Sequence, residues 1–336
     1  MEVANHSTLR IPVSESSQIG EARRATLEFA AEMGFDSTTQ GKLAIVAAEA
    51  ATNLVRHSHG GELLLQSRDN GDLPGVELLA LDKGPGIADL ARSMRDGVSG
   101  GSSPGNGLGA MKRLSSLLDM YSSPGVGTAL LARFWPGQQD RAPLQYGAVA
   151  VAKWGEPACG DAYAIECSTD RATLVVADGL GHGVDAAMAA EEAVRVFRRD
   201  ARLAPVEILE RIHGALRSTR GAAVSVAQIN WSTRLVRYAG VGNISAAILA
   251  ADSVRRLVSH NGTVGHELRK LQEFQYPWPE HATLIMHSDG LGSHWDLDRY
   301  AGLLARDPTL IAAVLYRDFE RGRDDVSVLV VRETAA

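Results

Sequence analysis

The sequence is poor in cysteine, with Cys159 and Cys167 the only two among 336 residues. Two cysteines are too few for a disulfide-stapled scaffold or for a zinc site built from thiolates. Long apolar runs are also missing, since no stretch approaches the roughly 20 residues that a membrane-spanning helix needs. Residues 1–10 lack the apolar core of a secretion signal. These absences predict a cytoplasmic protein that has no membrane partner.

Positively charged residues are in the minority, because the chain has 34 Lys and Arg and 40 Asp and Glu, which gives a net charge of -6. This balance disfavours non-specific binding to nucleic acid or to an anionic membrane. Hydrophobic residues make up 45% and charged residues 22% of the chain, which is ordinary for a globular protein. The length predicts two domains, each large enough to bury a core.

The chain changes character at a polar, proline-bounded stretch over residues 137–144, which predicts a linker. Domain 1–136 mixes helical and strand patterns, with helices predicted over 18–34, 39–57 and 110–118. Domain 145–336 has more predicted strands than helices. The two patterns are typical of an α/β sandwich followed by two packed sheets with flanking helices.

Glu49 and Asn53 are four residues apart in a predicted helix, so their side chains share one helical face. A carboxylate and a carboxamide placed in this way can orient water and hold Mg²⁺ through oxygen. On its own, such a pair is also typical of a polar helix surface.

Two glycine-containing segments follow in the same domain. Asp82 follows an apolar strand and precedes Gly84 and Gly86. A carboxylate in this position can accept a hydrogen bond from the amine of adenine, and the glycines let the backbone approach a flat ring. The segment 105–109 opens a helix, and its backbone N–H groups can face phosphate. It has neither the Gly-Lys-Ser/Thr ending of a Walker loop nor a dinucleotide fingerprint. Each segment alone is also compatible with a plain turn.

Together these elements resemble the N, G1 and G2 boxes of the GHKL ATPase superfamily, and Gly127-Thr128 resembles its final Gly-Thr element. Over residues 18–135 the likeness is greatest to the small anti-sigma-factor serine kinases of the RsbT type. The resemblance implies a GHKL (Bergerat) α/β sandwich that binds ATP with Mg²⁺. It implies Glu49 as catalytic base, Asn53 as Mg²⁺ ligand and Asp82 as adenine contact. The remaining nucleotide-binding residues that it implies are Gly84, Gly86, Gly105, Gly107, Gly109 and Thr128.

Acidic residues recur at strand ends in the second domain, at Asp161, Asp178, Asp289 and the pair Asp324-Asp325. One Asp-Gly pair is ordinarily a turn, but a rigid sheet can aim several such residues at one point. Clustered carboxylates repel and raise each other's pKa unless a cation neutralises them. An all-oxygen set suits Mg²⁺ or Mn²⁺ rather than zinc. Two such ions can activate water against a phosphoryl group, so the pattern predicts metal-dependent hydrolysis of a phosphomonoester.

The segments around these residues resemble PP2C-type phosphatases, most closely the SpoIIE branch and its RsbX-like members. The likeness includes VADGLGHG over 176–183 and GVGNI over 240–244. It implies an α-β-β-α sandwich holding two Mn²⁺ or Mg²⁺. The implied metal ligands are Asp178, the Gly179 carbonyl, Asp289 and Asp324, with Asp161 contributing. The phosphate-gripping arginine of many PP2C enzymes has no clear counterpart, Lys153 being only a guess.

The combined pattern predicts a bifunctional regulator of a partner-switching (stressosome or sigma-factor) pathway. The first domain would phosphorylate a serine or threonine on a STAS-domain (anti-anti-sigma) partner, and the second would remove that phosphate. A sigma factor is a further candidate partner. In the alternative hypothesis only the phosphatase is an enzyme, and the first domain is a regulatory module that binds nucleotide or a sigma factor. Retention of both Glu49 and Asn53 favours the first hypothesis.

Overall fold

The structure is a computed structural model that describes residues 8–68, 75–90, 107–135, 144–251, 253–268 and 270–334. It divides into two compact units. The first unit comprises Thr8–Asp140 with Leu297–Arg317, and the second comprises Arg141–Asp296 with Asp318–Ala336. Gly105 and the predicted linker residues 137–143 lie outside the described residues, so both stay predictions.

The first unit is built on one antiparallel sheet of order β1-β2-β3-β5-β4. Its N-terminal elements are β1 (Leu9–Val13), α1 (Ser16–Glu32), α2 (Ser37–His57), β2 (Gly61–Arg68), β3 (Gly75–Leu81), α3 (Gly107–Leu114), β4 (Leu117–Ser123) and β5 (Gly127–Phe134). Asp36 begins α2 by accepting hydrogen bonds from the backbone of Thr38 and Thr39. The apolar faces of α1, α2 and α3 pack with the sheet in one hydrophobic cluster.

The helix predicted over 110–118 is shorter than expected, because α3 ends at Leu114. The Ser115 hydroxyl donates back to the Met111 carbonyl, and the N–H of Ser116 donates to the Arg133 carbonyl at 2.8 Å. That second bond starts the ladder between β4 and β5, so Leu117 and Leu118 lie in a strand. Tertiary pairing here overrides the helical preference of the two leucines.

The second unit contains two five-stranded antiparallel sheets, of order β13-β10-β9-β8-β7 and β12-β11-β14-β15-β6. Its elements are β6 (Leu144–Val151), β7 (Asp161–Cys167), β8 (Arg171–Gly179), α4 (Val184–Asp200), α5 (Pro205–Ala215), β9 (Ala222–Asn230), β10 (Leu235–Val241), β11 (Ser245–Ala250), β12 (Ser253–Arg256), β13 (Phe274–Pro277), β14 (Thr283–His287) and β15 (Val326–Glu333). Side chains from both sheets share one core, and α4 and α5 pack on the outer face of the first sheet.

One further helix, α6 (Pro308–Phe319), contributes its residues up to Arg317 to the first unit. The sequence-based division placed this segment with the second domain. The grouping has a physical cause, because Arg133 donates to both carboxylate oxygens of Asp307 at 2.6 Å. In addition, the N–H of Asp307 donates to Asp119 at 3.0 Å. Among the described helices of the chain, none combines the length and apolarity needed to cross a bilayer.

Candidate active sites

In the first unit, the carboxylate of Asp82 is fixed at the end of β3. Its Oδ1 accepts hydrogen bonds from the N–H groups of Gly84 at 2.8 Å and Thr128 at 3.2 Å. Its own N–H donates to the Thr128 carbonyl at 3.0 Å. Its Oδ2 has no hydrogen-bond partner among the described residues. A fixed, largely buried carboxylate with one free oxygen is suited to accept an amine from a ligand.

Glycine is required where the backbone crosses close to Asp82. Gly127 has φ of +114°, and a Cβ there would collide with the Asp82 carbonyl oxygen. Gly86 has φ of +70°, and a Cβ there would collide with the Ser123 carbonyl oxygen. Gly84 is also crowded, since a Cβ would lie 2.7 Å from Cα of Ser58. These close approaches show that glycine is needed here for the chain to pack tightly around the Asp82 carboxylate.

The predicted catalytic base lies beside the second glycine segment. A Cβ at Gly107 would be only 2.8 Å from Oε2 of Glu49, so the Glu49 carboxylate faces the first turn of α3. Glu49 and Asn53 are half-buried and lie one turn apart on α2. The Thr128 hydroxyl is 2.8 Å from that of Ser122. The structure therefore brings Glu49 to Gly107 and Thr128 to Asp82, as two pairs of predicted nucleotide-binding residues.

In the second unit, the register of the sheet sets two predicted metal ligands side by side. Asp161 begins β7 and pairs directly with Asp178 on β8. Beyond that pair, the N–H of Gly179 donates to the Gly160 carbonyl at 2.9 Å. Cross-strand neighbours have Cβ atoms about 5 Å apart, so two carboxylates from adjacent strands share one small volume.

The Asp324-Asp325 pair directly precedes β15. Oδ1 of Asp325 accepts the backbone N–H of Lys153 at 2.9 Å, and a Cβ at Gly160 would lie 2.6 Å from Oδ2 of Asp325. Asp325 is 3% exposed, whereas Asp324 is half-buried. Lys153 thus contributes a backbone contact, and no described contact assigns its side chain to phosphate binding. Sequence reasoning assigned ligation to Asp324 and gave Asp325 no role, but the structure makes Asp325 a second candidate.

Several buried carboxylate oxygens of this cluster have no hydrogen-bond partner among the residues that the structure describes. They are both oxygens of Asp161 and Oδ2 of Asp325. Burial, reinforced by the charge of Asp325, raises the pKa of Asp161. Burial, reinforced by the charges of Asp161 and Asp289, raises the pKa of Asp178. Unsatisfied oxygens and mutual repulsion are what a divalent cation would relieve, so the donor set fits Mg²⁺ or Mn²⁺.

The ligand set itself stays a prediction. Within the part of the chain that the structure describes, no three Asp, Glu, His or Cys side chains converge closely enough to hold one ion. Paired carboxylates are compatible with Mg²⁺, which ordinarily keeps several waters and takes one or two carboxylates from the protein. The Gly179 carbonyl is a further oxygen donor in the same turn as Asp178.

Asn243 is a residue of this region to which sequence reasoning gave no role. Its Nδ2 donates to Oδ2 of Asp289 at 2.6 Å. The sequence shows the GVGNI motif, but a single asparagine in it does not indicate a functional role. The pairing of β11 with β14 is what reveals the contact.

Two other residues near the carboxylates have their own partners. Nδ1 of His182 lies 2.6 Å from Oε1 of Glu156, which ties two loops together. Burial, followed by the charges of Asp161 and Asp325, raises the pKa of Cys159 well above its ordinary value. A thiol of this kind is inert, in keeping with a small buried filler.

Comparison with known proteins bears on both units. The family model "Histidine kinase-like ATPase domain" matches residues 13–134. The curated protein "Serine/threonine-protein kinase RsbT" of Bacillus subtilis (strain 168) is 31% identical over 114 residues, which cover 34% of this chain and 86% of RsbT. The chain belongs to the RsbT-like histidine kinase-like ATPase family.

The rest of this RsbT-like chain has a separate set of relatives. The family model "Stage II sporulation protein E (SpoIIE)" matches residues 168–334. "Phosphoserine phosphatase RsbX" of the same strain is 29% identical over 142 residues, which cover 41% of this chain and 70% of RsbX. The predicted fusion of a GHKL-type domain with a SpoIIE/PP2C-type domain is therefore confirmed.

Solved structures support the same fold. One, described as "The bacterial stressosome: a modular system that has been adapted to control secondary messenger signaling", is 30% identical with a TM-score of 0.53 and covers 57% of this chain and 100% of its own. A structure of RsbX in complex with magnesium is 21% identical with a TM-score of 0.53 and covers 58% of this chain and 98% of its own. The α/β fold class is confirmed. The chain therefore combines an RsbT-like domain with a SpoIIE/PP2C-type phosphatase domain.

Proposed function

We propose that the chain adds and removes a phosphate on a serine or threonine of one STAS-domain protein in the cytoplasm. The first unit would use ATP with Mg²⁺ as a protein kinase. The second would use two Mn²⁺ or Mg²⁺ as a phosphoprotein phosphatase. The observation that carries the proposal is the group of buried carboxylate oxygens without partners at Asp161 and Asp325, in a PP2C-type fold.

In the phosphatase, the proposed ligands are Asp178, the Gly179 carbonyl, Asp289 and Asp324, with Asp161 contributing. When bound, the divalent ions would supply a water of lowered pKa and positive charge for the phosphoryl oxygens. The protein's part is to hold these oxygens on rigid strand ends. The β7–β8 register does this for Asp161 and Asp178.

In the kinase, Glu49 would act as the base that takes the proton of the substrate hydroxyl. Asn53 would hold Mg²⁺, and Asp82 would accept the adenine amine through its free Oδ2. Support comes from the carboxylate of Glu49, which lies on α2 and faces the first turn of α3, where a helix N-terminus favours phosphate. A single chain with both activities holds them at high effective concentration near one bound partner.

A second candidate function is nucleotide-dependent control of the phosphatase without phosphoryl transfer. One contact favours it, because Nη1 of Arg317 donates to the Asp82 carbonyl at 3.0 Å. Arg317 lies in the chain between Asp289 and Asp324, two of the proposed metal ligands. Nucleotide bound at Asp82 would then be sensed by the segment that joins those ligands. A sigma factor is the alternative ligand of such a module.

The test is label transfer from γ-labelled ATP to a purified STAS-domain protein with Mg²⁺ and Mn²⁺, comparing wild type, Asp178→Asn and Asn53→Ala. If both domains are enzymes, label accumulates with Asp178→Asn, turns over with wild type and is absent with Asn53→Ala. Label that still accumulates with Asn53→Ala would remove Asn53 from the Mg²⁺ site.

If no variant labels the partner, yet wild type dephosphorylates a pre-phosphorylated STAS-domain protein, the regulatory function is favoured. ATP would then change the phosphatase rate of wild type, and Arg317→Ala would reduce that change. Failure to dephosphorylate with either metal would contradict the phosphatase proposal.

A further inference from the structure

Asn243 lies opposite Asp289 because of the sheet register. Ser245 of β11 pairs with His287 of β14 in an antiparallel ladder. Carrying that register two residues beyond the pair sets residue 243 against residue 289, on the same face as the paired residues. The 2.6 Å contact between Nδ2 of Asn243 and Oδ2 of Asp289 is the result. A carboxylate only accepts hydrogen bonds, so the amide nitrogen is the donor.

The backbone of the turn that carries Asn243 is tightly constrained. Gly242 has φ of +99°, and a Cβ there would collide with the side chain of Ala223. The N–H of Gly242 donates to the His260 carbonyl at 2.9 Å, and the N–H of His260 donates to the Gly240 carbonyl at 2.8 Å. Asn243 is therefore presented to Asp289 by a backbone that is held on two sides.

We propose that Asn243 is a positioning residue, which orients the Asp289 carboxylate for a divalent cation. The proposal rests on the proposed phosphatase function. By engaging Oδ2, the amide fixes the Asp289 carboxylate and leaves its Oδ1 available to a cation. An amide does this without a positive charge, whereas Lys or Arg at this position would compete with the metal for the carboxylate.

Among the described candidate ligands, Asp289 is the one whose carboxylate is held by a side-chain amide. Asp325 is held instead by the backbone of Lys153, and Asp324 by the backbone of Asp325. A backbone donor cannot be removed by substitution. The Asn243 contact can, so its contribution to metal binding can be measured directly.

The experiment compares Asn243→Ala with Asn230→Ala in the full chain. Asn230 is a matched control, because it is the last residue of β9 and pairs with the first residue of β10, at the end of that strand away from Asn243. Its Oδ1 accepts from the N–H of Thr233 at 2.8 Å. Mn²⁺ binding is measured by calorimetry, and the Mn²⁺ concentration for half-maximal phosphatase activity is measured in parallel. Thermal unfolding in chelator checks that both variants are folded.

Asn243→Ala should raise the Mn²⁺ dissociation constant about 10-fold or more, the usual effect of removing a group that orients a metal ligand. Its phosphatase activity should fall at limiting Mn²⁺ and recover at saturating Mn²⁺, whereas Asn230→Ala should match wild type in both assays. Equal Mn²⁺ affinity in the two variants would overturn the proposal, as would a wild type that binds no Mn²⁺. Wild type that binds Mn²⁺ but lacks phosphatase activity would count against the proposed function alone, since the affinity difference would still support the role of Asn243.

Discussion

The two units bury acidic side chains in opposite ways. In the first, Glu77 is 1% exposed and accepts hydrogen bonds from Nε of Arg133 at 2.6 Å and Nη1 of Arg68 at 2.8 Å. Burial alone would raise the pKa of Glu77, but the charges of Arg133 and Arg68 outweigh it and lower the pKa to about 2. The carboxylate is fully compensated from within the protein.

In the second unit, Asp161 and Asp178 face each other and have raised pKa values, because burial is reinforced by further carboxylates. Here the compensation has to come from outside the protein. The difference teaches how to interpret a buried acid. A low pKa with internal partners indicates a structural ion pair, whereas raised pKa values among like charges indicate a site for a ligand.

The largest expected effect is that of Asp178→Asn on the phosphatase. Loss of this proposed metal ligand should lower the rate about 1,000-fold, since metal stabilisation of the transition state contributes several kcal/mol. The same change should raise the thermal stability of the metal-free protein, because it removes repulsion. Asp170→Asn, at the other end of the β7–β8 hairpin, serves as the control and should alter neither property. If metal-free Asp178→Asn protein is less stable than metal-free wild type, the carboxylates of the second unit do not destabilise the fold by repulsion, and the contrast with Glu77 fails.

Asp324→Asn and Asp325→Asn should separate the two neighbouring acids. Asp324→Asn removes a proposed ligand and should weaken Mn²⁺ binding more strongly. Asp325→Asn keeps an oxygen that can accept from Lys153 and loses only charge, so we expect a change of about 10-fold. Calorimetric titration with Mn²⁺ measures both. The reverse order would make Asp325 the ligand.

In the first unit, Glu77→Gln should destabilise the fold by about 3 kcal/mol, because it removes the carboxylate that Arg133 and Arg68 share and leaves the network with one positive charge in excess. Urea unfolding measures the effect. Glu192→Gln is the control, since Glu192 pairs with the exposed Arg195 within one helix and should matter little. If Glu77→Gln is as stable as the control, the ion pairs of Glu77 make no net contribution to the free energy of unfolding.

The smallest expected effect is on the pH dependence of stability. The pKa of Glu77 is about 2 in the folded state against an ordinary 4.5. Its stabilisation is therefore complete above about pH 4.5 and is lost as the pH falls toward 2. Acid unfolding followed by circular dichroism should show a steeper loss in this range for wild type than for Glu77→Gln. Parallel curves would assign the acid sensitivity to other groups.

Short local signals made much of this molecule predictable. The Asp82 turn and the acidic strand ends stood out because glycine and aspartate recur where apolar strands stop. The helices predicted over 18–34 and 39–57 occur within two residues of their expected bounds. Contacts that depend on distant pairing could not be predicted. The residues that neighbour Asn243 in the sequence do not predict its contact with Asp289, and those that neighbour Glu77 do not predict its contact with Arg133, because strand register sets each contact.

The discontinuous first unit has a consequence for biosynthesis. Arg133 emerges from the ribosome more than 170 residues before Asp307, its bidentate partner. Domains ordinarily fold from the N-terminus as they are made, but the sheet of this one has to wait for α6, whose Thr309 contacts Arg133 and Glu77. Until then Arg133 has Glu77 as a partner but lacks Asp307, so a premature stop anywhere before residue 297 would release an unfinished first unit. Translation of the intervening residues 141–296 of the second unit is thus a condition for completing the first.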